Sequence, residues 1–492
     1  MSVKNTRENR KKCLCPSCPS YPRDCQGEVL YCAEAVGHSR CDIGAKGCTC
    51  PGCLVYSENK LKEIYYCARD VAGDAKIVMR KKTSQENGNF YQTIIDIKTI
   101  AETGESIVSS MGSLEKPTCD LSLENIHFVP AQIAAIPLNK EEAVNMEIAI
   151  GPEAKKPLRV SSPIMITGMS FGATSKKTHL VIAKVAREIG IAFNSGEGGI
   201  LDELYESKEF LIGQYATGRF GINEDVLKKI AAVEIRFGQG AYPGKGSYLP
   251  AKKMTEEVSR LRGLKTGEPS YSPAHHHDMK TPKEIRTKVS WLRKITGGVP
   301  IGAKIGCGNV EADIEALAGA GVDFIAIDGF GGGTGATDAC VKDNVGIPVW
   351  AAIPRADKKL RGLNLRKKIT LIAGGNLRTS ADFAKCLALG ADAVYIGTAA
   401  LIAINCRQYR ICHTGLCPTG ITTHNPELAK QLDVEEGVRR FKNFVKVSTG
   451  EIAEFARITG KNDVKNLSRE DLVAVSRELV AICDVKWIGE DR

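Results

Sequence analysis

The first feature that points to chemistry is a repeated arrangement of cysteines near the N-terminus. Residues 13–34 and 48–69 share the pattern C-x-C-P-x-C-x13-C, with Tyr before the last cysteine. Four thiolates brought together in this way can hold a zinc ion or an iron–sulfur cluster. The spacing differs from the bacterial ferredoxin run, so the ligand set alone leaves iron and zinc open. The predicted ligands are Cys13, Cys15, Cys18 and Cys32 in the first copy and Cys48, Cys50, Cys53 and Cys67 in the second; Cys25 and Cys41 fall outside the repeat.

A second group of cysteines lies towards the C-terminal end of the chain. Cys406, Cys412 and Cys417 have the spacing C-x5-C-x4-C, followed by Pro-Thr-Gly. Three cysteines within twelve residues can hold a cluster with three protein ligands, or a zinc ion together with His413 or His424. The sequence therefore predicts a second metal or cluster site.

The composition indicates a globular protein, and its cysteine content suits a reducing compartment. The chain has 492 residues and 18 cysteines, with 43% apolar and 25% charged residues, which excludes disordered, collagen-like and coiled-coil classes. The polar start MSVKNTRENRKK lacks the apolar stretch of a secretory signal, and the most apolar run is too short to span a membrane. We therefore expect a cytoplasmic protein whose clustered cysteines bind metal rather than form disulfides. Its formal charge of +10 comes from dispersed residues, so we expect neither nucleic acid nor membrane as a partner.

Short β-rich runs alternate with helical patterns from about residue 163 onward. Eight such runs predict a (β/α)8 TIM barrel, with an open doubly wound sheet as the alternative. The predicted strands are 163–168, 192–196, 233–240, 269–273, 300–306, 324–329, 370–375 and 393–398. The predicted domains are a Cys-rich metal or iron–sulfur module (1–75), a connecting segment (76–150) with β character at 89–100, the barrel (151–430) and a C-terminal helical tail (431–492).

The loops that follow the predicted strands are rich in glycine. Chemistry in a TIM barrel collects in these loops, and a phosphate site commonly forms after the seventh and eighth strands. Gly374, Gly375, Gly397 and Thr398 lie there, although any one glycine could serve only a tight turn. The run GFGGGTG lacks the dinucleotide spacing G-x-G-x-x-G. Flavin mononucleotide (FMN), with its single phosphate, is therefore the predicted cofactor.

The stretch from about residue 128 to residue 426 resembles the FMN-binding synthase domain of glutamate synthases, particularly the short archaeal type. The motifs FVPAQ, GMSFGATS, NSGEGG, TGRFGI, GQGAYPGKGSYLP, SPAHHHD, DGFGGGTGA and GTAALIA occur in that family's order. The second cysteine group resembles the family's ligand set for a 3Fe-4S cluster. The resemblance implies that ammonia condenses with 2-oxoglutarate and that reduced FMN delivers hydride to the imine, giving L-glutamate.

The resemblance also implies roles for individual residues. Glu197 is the candidate for proton transfer, and Lys304 for a place beside the flavin ring, where it favours the anionic reduced form. The plainer alternatives are that Glu197 caps a helix and that Lys304 packs against the barrel rim. The candidate flavin contacts are Met169, Ser170, Asn194, Gln239, Lys304, Gly332, Gly333, Gly374, Gly375, Gly397 and Thr398. The candidate substrate contacts are Arg219, Lys245, His276 and Asp328.

The chain differs from the full-length bacterial enzyme at both ends. It starts with Met-Ser rather than the Cys nucleophile of a glutamine amidotransferase, and the large C-terminal β-helix has no counterpart. We therefore expect free ammonia or a separate glutaminase subunit as nitrogen source. The electron donor would be a ferredoxin or an NAD(P)H-oxidising flavoprotein, in an oligomeric assembly. This need for electrons favours two 4Fe-4S clusters over zinc in the N-terminal repeats.

Two other functions fit the same residues. An N-methylglutamate synthase-type enzyme would use methylamine in place of ammonia on the same barrel. A non-catalytic electron-transfer or scaffold subunit would keep the clusters but not the turnover. We expect an oxidoreductase acting on CH–NH2 groups.

Overall fold

The computed structural model describes residues 3–21, 28–33, 35–36, 39, 48–61, 66–68, 94, 97–104, 121–342 and 344–490. Cys25 and Cys41 lie outside the described residues, as does most of the predicted connecting segment before residue 121. Residues 97–103 are helical, so the β character predicted for 89–100 is wrong at its C-terminal end. Within the described residues, no helix is long and apolar enough to cross a membrane.

Eight parallel strands close into a barrel, which confirms the predicted TIM barrel. The barrel closes because its last strand, Ala393–Ile396, pairs with its first, Ile164–Ile166, with Val394 opposite Ile164. Helices cover the outside of the barrel, so both faces of its strands are buried and their sequences are nearly continuous apolar runs, such as FIAID at Phe324–Asp328. Strands β1 to β8 are Ile164–Ile166, Phe193–Asn194, Leu211–Tyr215, Ala232–Arg236, Ile301–Gly306, Phe324–Asp328, Thr370–Gly374 and Ala393–Ile396.

Seven of the eight predicted strands are confirmed, and the one at 269–273 is wrong. Ser270–Tyr271 instead pairs antiparallel with Tyr248–Leu249, in a two-stranded sheet within the long loop after β4. Prolines bracket this segment, and a residue without an N–H is disfavoured inside a central strand. The eighth strand of the barrel is instead β3, which was not predicted and which directly follows the 3-10 helix Asp202–Phe210. This strand is buried at every position and shows no alternation, so its periodicity does not separate it from helix.

Helices follow the strands and form the outer layer. Helix Lys176–Ile189 begins at Ser175, whose side chain accepts a hydrogen bond from the Thr178 N–H, and ends at Gly190 with φ 82°. The other helices around the barrel are Glu224–Leu227, Glu256–Arg262, Pro282–Ile295, Val310–Ala320, Ala339–Lys342, Val349–Gly362, Ser380–Ala388 and Thr398–Ile404. Shorter turns are Leu123–Asn125, Ala251–Lys253, Cys412–Thr414 and Pro426–Ala429, and the strands Ile148–Ile150 and Leu158–Val160 form a hairpin ahead of β1.

The segment after residue 430 packs on the barrel and is not only helical, which corrects the predicted helical tail. Helix Val434–Ile458 packs against Lys176–Ile189 and Thr398–Ile404, where it completes the outer helical layer. Strand Leu472–Ala474 then pairs antiparallel with Ile126–Phe128. Its partner lies hundreds of residues earlier, so no local pattern predicts this pairing. The remaining elements are the turns Val464–Asn466 and Arg469–Asp471, helix Arg477–Cys483 and strand Lys486–Trp487.

The N-terminal cysteine repeats form a small module with an apolar core of its own. Leu30, Tyr31 and Val55 are buried in this core together with several of the cysteines. Its helices are Arg7–Lys12 and Leu54–Glu58, and its 3-10 turns are Cys15–Ser17, Cys50–Gly52 and Tyr66–Ala68. The module touches the barrel at the second cysteine group, because a Cβ at Gly52 would lie 3.1 Å from the Pro418 ring.

A buried carboxylate ties the tail to the barrel. Asp357, in helix Val349–Gly362, is 0% exposed and accepts hydrogen bonds from three arginine side chains. The donors are Arg361 at 2.8 Å, Arg366 at 2.7 Å and Arg469 at 2.7 Å. Arg366 lies just before β7 and Arg469 lies in the tail, so one carboxylate joins three separate segments.

We predict that Asp357→Asn lowers the free energy of unfolding by about 2 kcal/mol or more, because it removes a fully buried negative charge that accepts hydrogen bonds from three guanidinium groups. Urea denaturation checks this value. The matched control is Glu315→Gln, which breaks an exposed pair with Lys359. Lys359 lies on the same helix as Asp357, and the loss of this pair is expected to cost at most about 1 kcal/mol. Equal losses in the two variants would contradict the role of Asp357.

Candidate active site

A cavity of about 570 Å³, here called the mouth cavity, lies at the carboxyl ends of the barrel strands. Its volume falls in the range of about 300–1,000 Å³ that is typical of small-molecule and cofactor sites. Most of the predicted site residues meet there. Those in its wall are Met169, Ser170, Glu197, Gln239, Lys304, Asp328, Gly332, Gly333, Gly375, Gly397 and Thr398, together with Cys406, Cys412 and Cys417.

Lys304 is fixed in the wall of the mouth cavity. It lies on β5, its ammonium group is 3.1 Å from Asp328 Oδ2, and it donates a hydrogen bond to Thr167 Oγ1 at 2.8 Å. The residue is 2% exposed, so the Asp328 carboxylate offsets the cost of burying its charge. The lysine therefore faces the barrel interior, in contrast to the alternative in which it packs against the rim.

Glu197 is buried in the same wall, in the NSGEGG loop after β2. Its Oε2 accepts hydrogen bonds from Arg236 at 3.0 Å and from the Ser247 hydroxyl. Its Oε1 is also buried but has no hydrogen-bond partner among the described residues. The next helix begins after Leu201, so Glu197 does not cap it. A buried oxygen without a partner is costly, and this one fits a ligand with a hydrogen to donate.

The glycines of the NSGEGG loop allow it to pack closely on the loop after β1. Gly196 has a φ of 66°, and a Cβ at this position would lie 2.5 Å from the Ser170 amide nitrogen. Only glycine fits this contact. The contact holds Ser170 and Glu197 in one continuous wall of the mouth cavity.

A polar network that the sequence analysis missed extends from the barrel interior to the wall of the mouth cavity. Glu234 is 0% exposed and accepts hydrogen bonds from Asn194 at 2.8 Å, from Gln214 at 2.9 Å and from the Tyr395 hydroxyl at 3.0 Å. Burial, with Glu234 adding to it, raises the pKa of Tyr395 well above its usual value. Gln214 and Tyr395 line the mouth cavity, whereas Asn194 is not part of its wall, and neither is Gly374 at the end of β7.

One signal in the sequence points to this network. Glu234 and Arg236 are two residues apart within the otherwise apolar run AVEIR, and alternate residues of a strand point to the same side. Arg236 is 4% exposed and, besides Glu197, binds the Tyr242 hydroxyl at 2.8 Å. Burial raises the pKa of Tyr242 to about 12, although Arg236 opposes the increase.

Three of the predicted substrate contacts lie outside the wall of the mouth cavity. Arg219 donates to Ala216 O and His276 Nδ1 and pairs with Asp278, so its guanidinium group is already engaged. His276 Nε2 donates to the Arg236 backbone oxygen at 2.9 Å, so its ring joins two loops. Lys245 pairs with Asp338 at the exposed edge of the site.

Two arginines that the sequence analysis missed line the mouth cavity. Arg262 is 4% exposed and donates to the backbone oxygens of Phe171 and Glu197 at 3.3 Å. Its Nε is buried and has no partner among the described residues. Arg378 lies in the loop after β7, where its Nε donates to Asn376 at 3.2 Å. Guanidinium groups suit carboxylates and phosphates, so both arginines are candidates for anion binding.

The second cysteine group forms one end of the mouth cavity. Burial raises the pKa of the Cys406 thiol, and Cys412 and Cys417 add to the increase, which indicates that the three thiols lie near one another. Lys253 is 2% exposed and donates to the Cys412 backbone oxygen at 3.2 Å; burial lowers its pKa to about 8. Within the described residues, no three Cys, His, Asp or Glu side chains form a ready-made site for a single metal ion.

The fold and the cavity define a TIM-barrel protein with a polar site at the carboxyl ends of its strands, and sequence comparison assigns its family. Residues 94–462 match the family model described as the conserved region in glutamate synthase. The chain belongs to the glutamate synthase family. Residues 13–68 match a second model, described as a protein of unknown function, DUF2769.

Several curated relatives share most of the chain. The archaeal glutamate synthase [NADPH] of Methanocaldococcus jannaschii is 43% identical over 339 residues, which cover 68% of this chain and 66% of the relative. The archaeal-type glutamate synthase [NADPH] of Thermotoga maritima is 37% identical over 426 residues, which cover 81% of this chain and 83% of the relative. A glutamate synthase large subunit-like protein of Rhizobium meliloti is 36% identical over 416 residues, covering 81% and 93%.

Solved structures with a similar barrel are more distant. A flavocytochrome b2 variant with sulfite bound has a TM-score of 0.47 at 16% identity, covering 75% of this chain and 80% of its own. A mandelate oxidase variant with an FMN adduct has a TM-score of 0.43 at 15% identity, covering 76% and 88%. Likenesses at this level do not bear on function.

We predict that the protein loses stability as the pH falls from 7 to 5, partly through two buried histidines. Burial lowers the pKa of His276 to about 3 and that of His179 to about 4, whereas an unfolded histidine has a pKa of about 6.5. The unfolded chain therefore binds protons that the folded chain does not, and each histidine costs about 2 kcal/mol over this range. Measuring the free energy of unfolding at both pH values checks this.

The variant His276→Gln is expected to show a smaller pH-dependent loss, by about 2 kcal/mol, whatever its stability at pH 7. The neighbouring His275 is exposed, so His275→Gln is the matched control and is expected to keep the wild-type pH dependence. An unchanged pH dependence in His276→Gln would contradict the prediction.

Proposed function

We propose that this chain is a glutamate synthase-type oxidoreductase that converts 2-oxoglutarate and ammonia to L-glutamate with bound FMN and iron–sulfur clusters. The carrying observation is the buried Glu197 carboxylate, whose Oε1 has no hydrogen-bond partner in the part of the chain that the structure describes and which lies in the same cavity wall as Lys304. Membership in the family and the names of the relatives support the reaction.

The loops at the mouth cavity fit a flavin with one phosphate. Close contacts that exclude side chains hold these loops together: a Cβ at Gly375 would lie 2.5 Å from Gly329 N, and one at Gly333 would lie 2.8 Å from Thr398 Oγ1. Gly375, Gly397, Thr398 and Arg378 would hold the phosphate. When bound, FMN would supply the hydride for reductive amination.

Other residues of the wall would contact the ring of the flavin. We propose Met169, Ser170, Gln239 and Lys304 for this role, because all four line the same cavity. Lys304 would place a positive charge beside the ring, with Asp328 and Thr167 holding its ammonium group in position.

The substrate needs cations for its two carboxylates and a group that moves protons. Arg262 replaces Arg219 in our proposal, since it lines the mouth cavity and its Nε is unpartnered among the described residues. Arg236 and Ser247 occupy one oxygen of Glu197 and so orient the other. This free oxygen would take a proton from the nitrogen as the C–N bond forms and return it to the departing hydroxyl group.

The electrons must come from outside the barrel, because its glycine-rich run lacks a dinucleotide spacing. The names of the relatives favour NADPH as the ultimate source, which is consistent with a separate NADPH-oxidising flavoprotein or ferredoxin. Cys406, Cys412 and Cys417 would hold a three-iron cluster, and the eight N-terminal cysteines would hold two four-iron clusters. The contact between Gly52 and Pro418 supports a path from the N-terminal module to the mouth cavity.

We predict that protein purified without oxygen releases FMN on denaturation and, once reduced with dithionite, forms glutamate from 2-oxoglutarate and ammonia. Chromatography of the released flavin and of the amino acid product checks both. Protein that contains neither flavin nor iron would refute the cofactors. Product formed only with methylamine would move the assignment to an N-methylglutamate synthase-type enzyme, and no product with either amine would favour a non-catalytic subunit.

We predict that Glu197→Gln lowers kcat by about 10²- to 10⁴-fold, the usual contribution of a general acid–base group. Its FMN content should not change, because the amide keeps the size of the side chain. Steady-state kinetics with reduced donor, together with flavin absorbance, check the two statements. The control is Glu203→Gln in the following helix, which pairs with Lys176 away from the mouth cavity and is expected to keep full activity. Unchanged turnover in Glu197→Gln would refute the role.

A further inference from the structure

The two N-terminal cysteine repeats have the same backbone geometry. In each copy the second cysteine begins a 3-10 turn, and the backbone N–H of the third cysteine donates to the backbone oxygen of the second at 3.0 Å. The third cysteine leaves the turn in extended conformation, with φ −72° and ψ 133° at Cys18 and φ −84° and ψ 133° at Cys53. The two copies are therefore equivalent positions of one motif, 35 residues apart in the chain.

All eight cysteines of the repeats line one cavity, here called the thiol cavity. A site built from a single copy would bring Cys18 next to Cys13 and Cys15. In the structure, the third cysteine next to Cys13 comes from the other copy. Cys53, from the second copy, shares a side-chain hydrogen bond with Cys13, and its Sγ donates to the Lys12 backbone oxygen at 3.4 Å.

The same exchange occurs in the opposite direction. Cys18, from the first copy, shares a side-chain hydrogen bond with Cys48, and Thr49 donates to the Leu14 backbone oxygen at 3.3 Å between the two turns. Cys48 also contacts Cys50, as Cys13 contacts Cys15. Each third cysteine thus reaches the first pair of the other copy.

The fourth cysteines complete the pattern. Cys32 lies close enough to interact electrostatically with both Cys13 and Cys53, and Cys15 interacts with Cys32. Cys67 is the equivalent of Cys32 in the second copy, and it lines the thiol cavity as well.

We propose that the two repeats exchange their third cysteines, so that each four-cysteine site contains ligands from both copies. The first site is Cys13, Cys15, Cys32 and Cys53, and the second is Cys48, Cys50, Cys67 and Cys18. This inference deepens the proposed function, on which its iron–sulfur chemistry rests. The pairing of the thiols itself rests on the contacts above. One consequence is that neither copy can form a complete site alone.

The second site is the one beside the barrel. Burial raises the pKa of the Tyr409 hydroxyl, and Cys48 and Tyr56 of the N-terminal module add to the increase, so these groups lie close together. Tyr409 lines the mouth cavity beside Cys406. Gly52, between Cys50 and Cys53, packs on Pro418. The second site therefore adjoins the cysteines of the barrel.

Iron content of full-length cysteine-to-alanine variants, purified without oxygen, tests the pairing. Wild-type protein should hold about eleven irons, and Cys13→Ala about seven. The double variant Cys13→Ala/Cys53→Ala should also keep about seven, because both changes remove ligands of one site. Cys13→Ala/Cys18→Ala should keep only about three, because it removes a ligand from each site. The reverse pattern for the two double variants would overturn the exchange.

Serine variants give a second measurement that does not require loss of a cluster. A serine oxygen can replace the thiolate and shift the signal of the cluster in electron paramagnetic resonance of the reduced protein. Cys13→Ser and Cys53→Ser should shift the same signal, and Cys18→Ser and Cys48→Ser the other. If Cys13→Ser and Cys18→Ser shift the same signal, the proposal is wrong, whatever the iron counts of the alanine variants.

The outcomes also separate this inference from the proposed function. None of these measurements requires turnover, so the expected iron pattern without glutamate formation would refute the proposed reaction and support the exchange. Two zinc ions in place of about eight irons would overturn the iron–sulfur assignment.

Discussion

The pairing of Arg236 with Glu197 in the barrel interior is the interaction on which the mouth cavity depends. Both side chains are nearly inaccessible to solvent, and a buried charge is stable only with a partner and further hydrogen bonds. The arginine is on β4 and also binds Tyr242 and Ser272, so it joins the loop after β2 to the long loop after β4. Truncation of either side chain, unlike an exchange that keeps its size, would remove the contact between these loops.

Other buried charged groups near the mouth of the barrel are also paired or hydrogen-bonded. Lys304 is balanced by Asp328, and the carboxylate of Glu234 accepts three hydrogen bonds below them. Partners that satisfy these groups also restrict their rotamers, so the polar side chains are held in place before any ligand binds. Glu197 Oε1 and Arg262 Nε are exceptions, since neither atom has a partner among the described residues, and both belong to residues that line the mouth cavity. At these two atoms a bound ligand would supply the missing partner.

The N-terminal module depends on a comparable constraint. Its apolar core is small and is formed in large part by the cysteines themselves. Small modules of this kind usually need disulfides or metal ligands to be stable. Exchange of ligands between the copies would make the whole module one cooperative unit, joined to the barrel where Gly52 meets Pro418.

Most of the barrel could be predicted from the sequence, because buried parallel strands are short apolar runs between glycine-rich turns. The errors concerned two short segments. Segment 269–273 has β-rich composition but also prolines at both ends, and β3 has no alternation to distinguish it from helix. Among the site residues, Glu197 and Lys304 both line the mouth cavity, because loops and strand ends of a TIM barrel converge there. Arg219 and Arg262 are both arginines near glycine-rich loops, and nothing in their spacing shows which one Asp278 engages.

The sequence by itself determined the alternation that builds the barrel, the glycines that allow its loops to meet, and the spacings that define three groups of cysteines. These are local properties, since they depend on residues within one strand, turn or helix. The tertiary structure decided which charged groups are paired and which face the cavity, where strand Leu472–Ala474 docks, and which thiols lie together. Contacts between distant segments depend on the packing of the whole chain, so they are absent from any short pattern of residues.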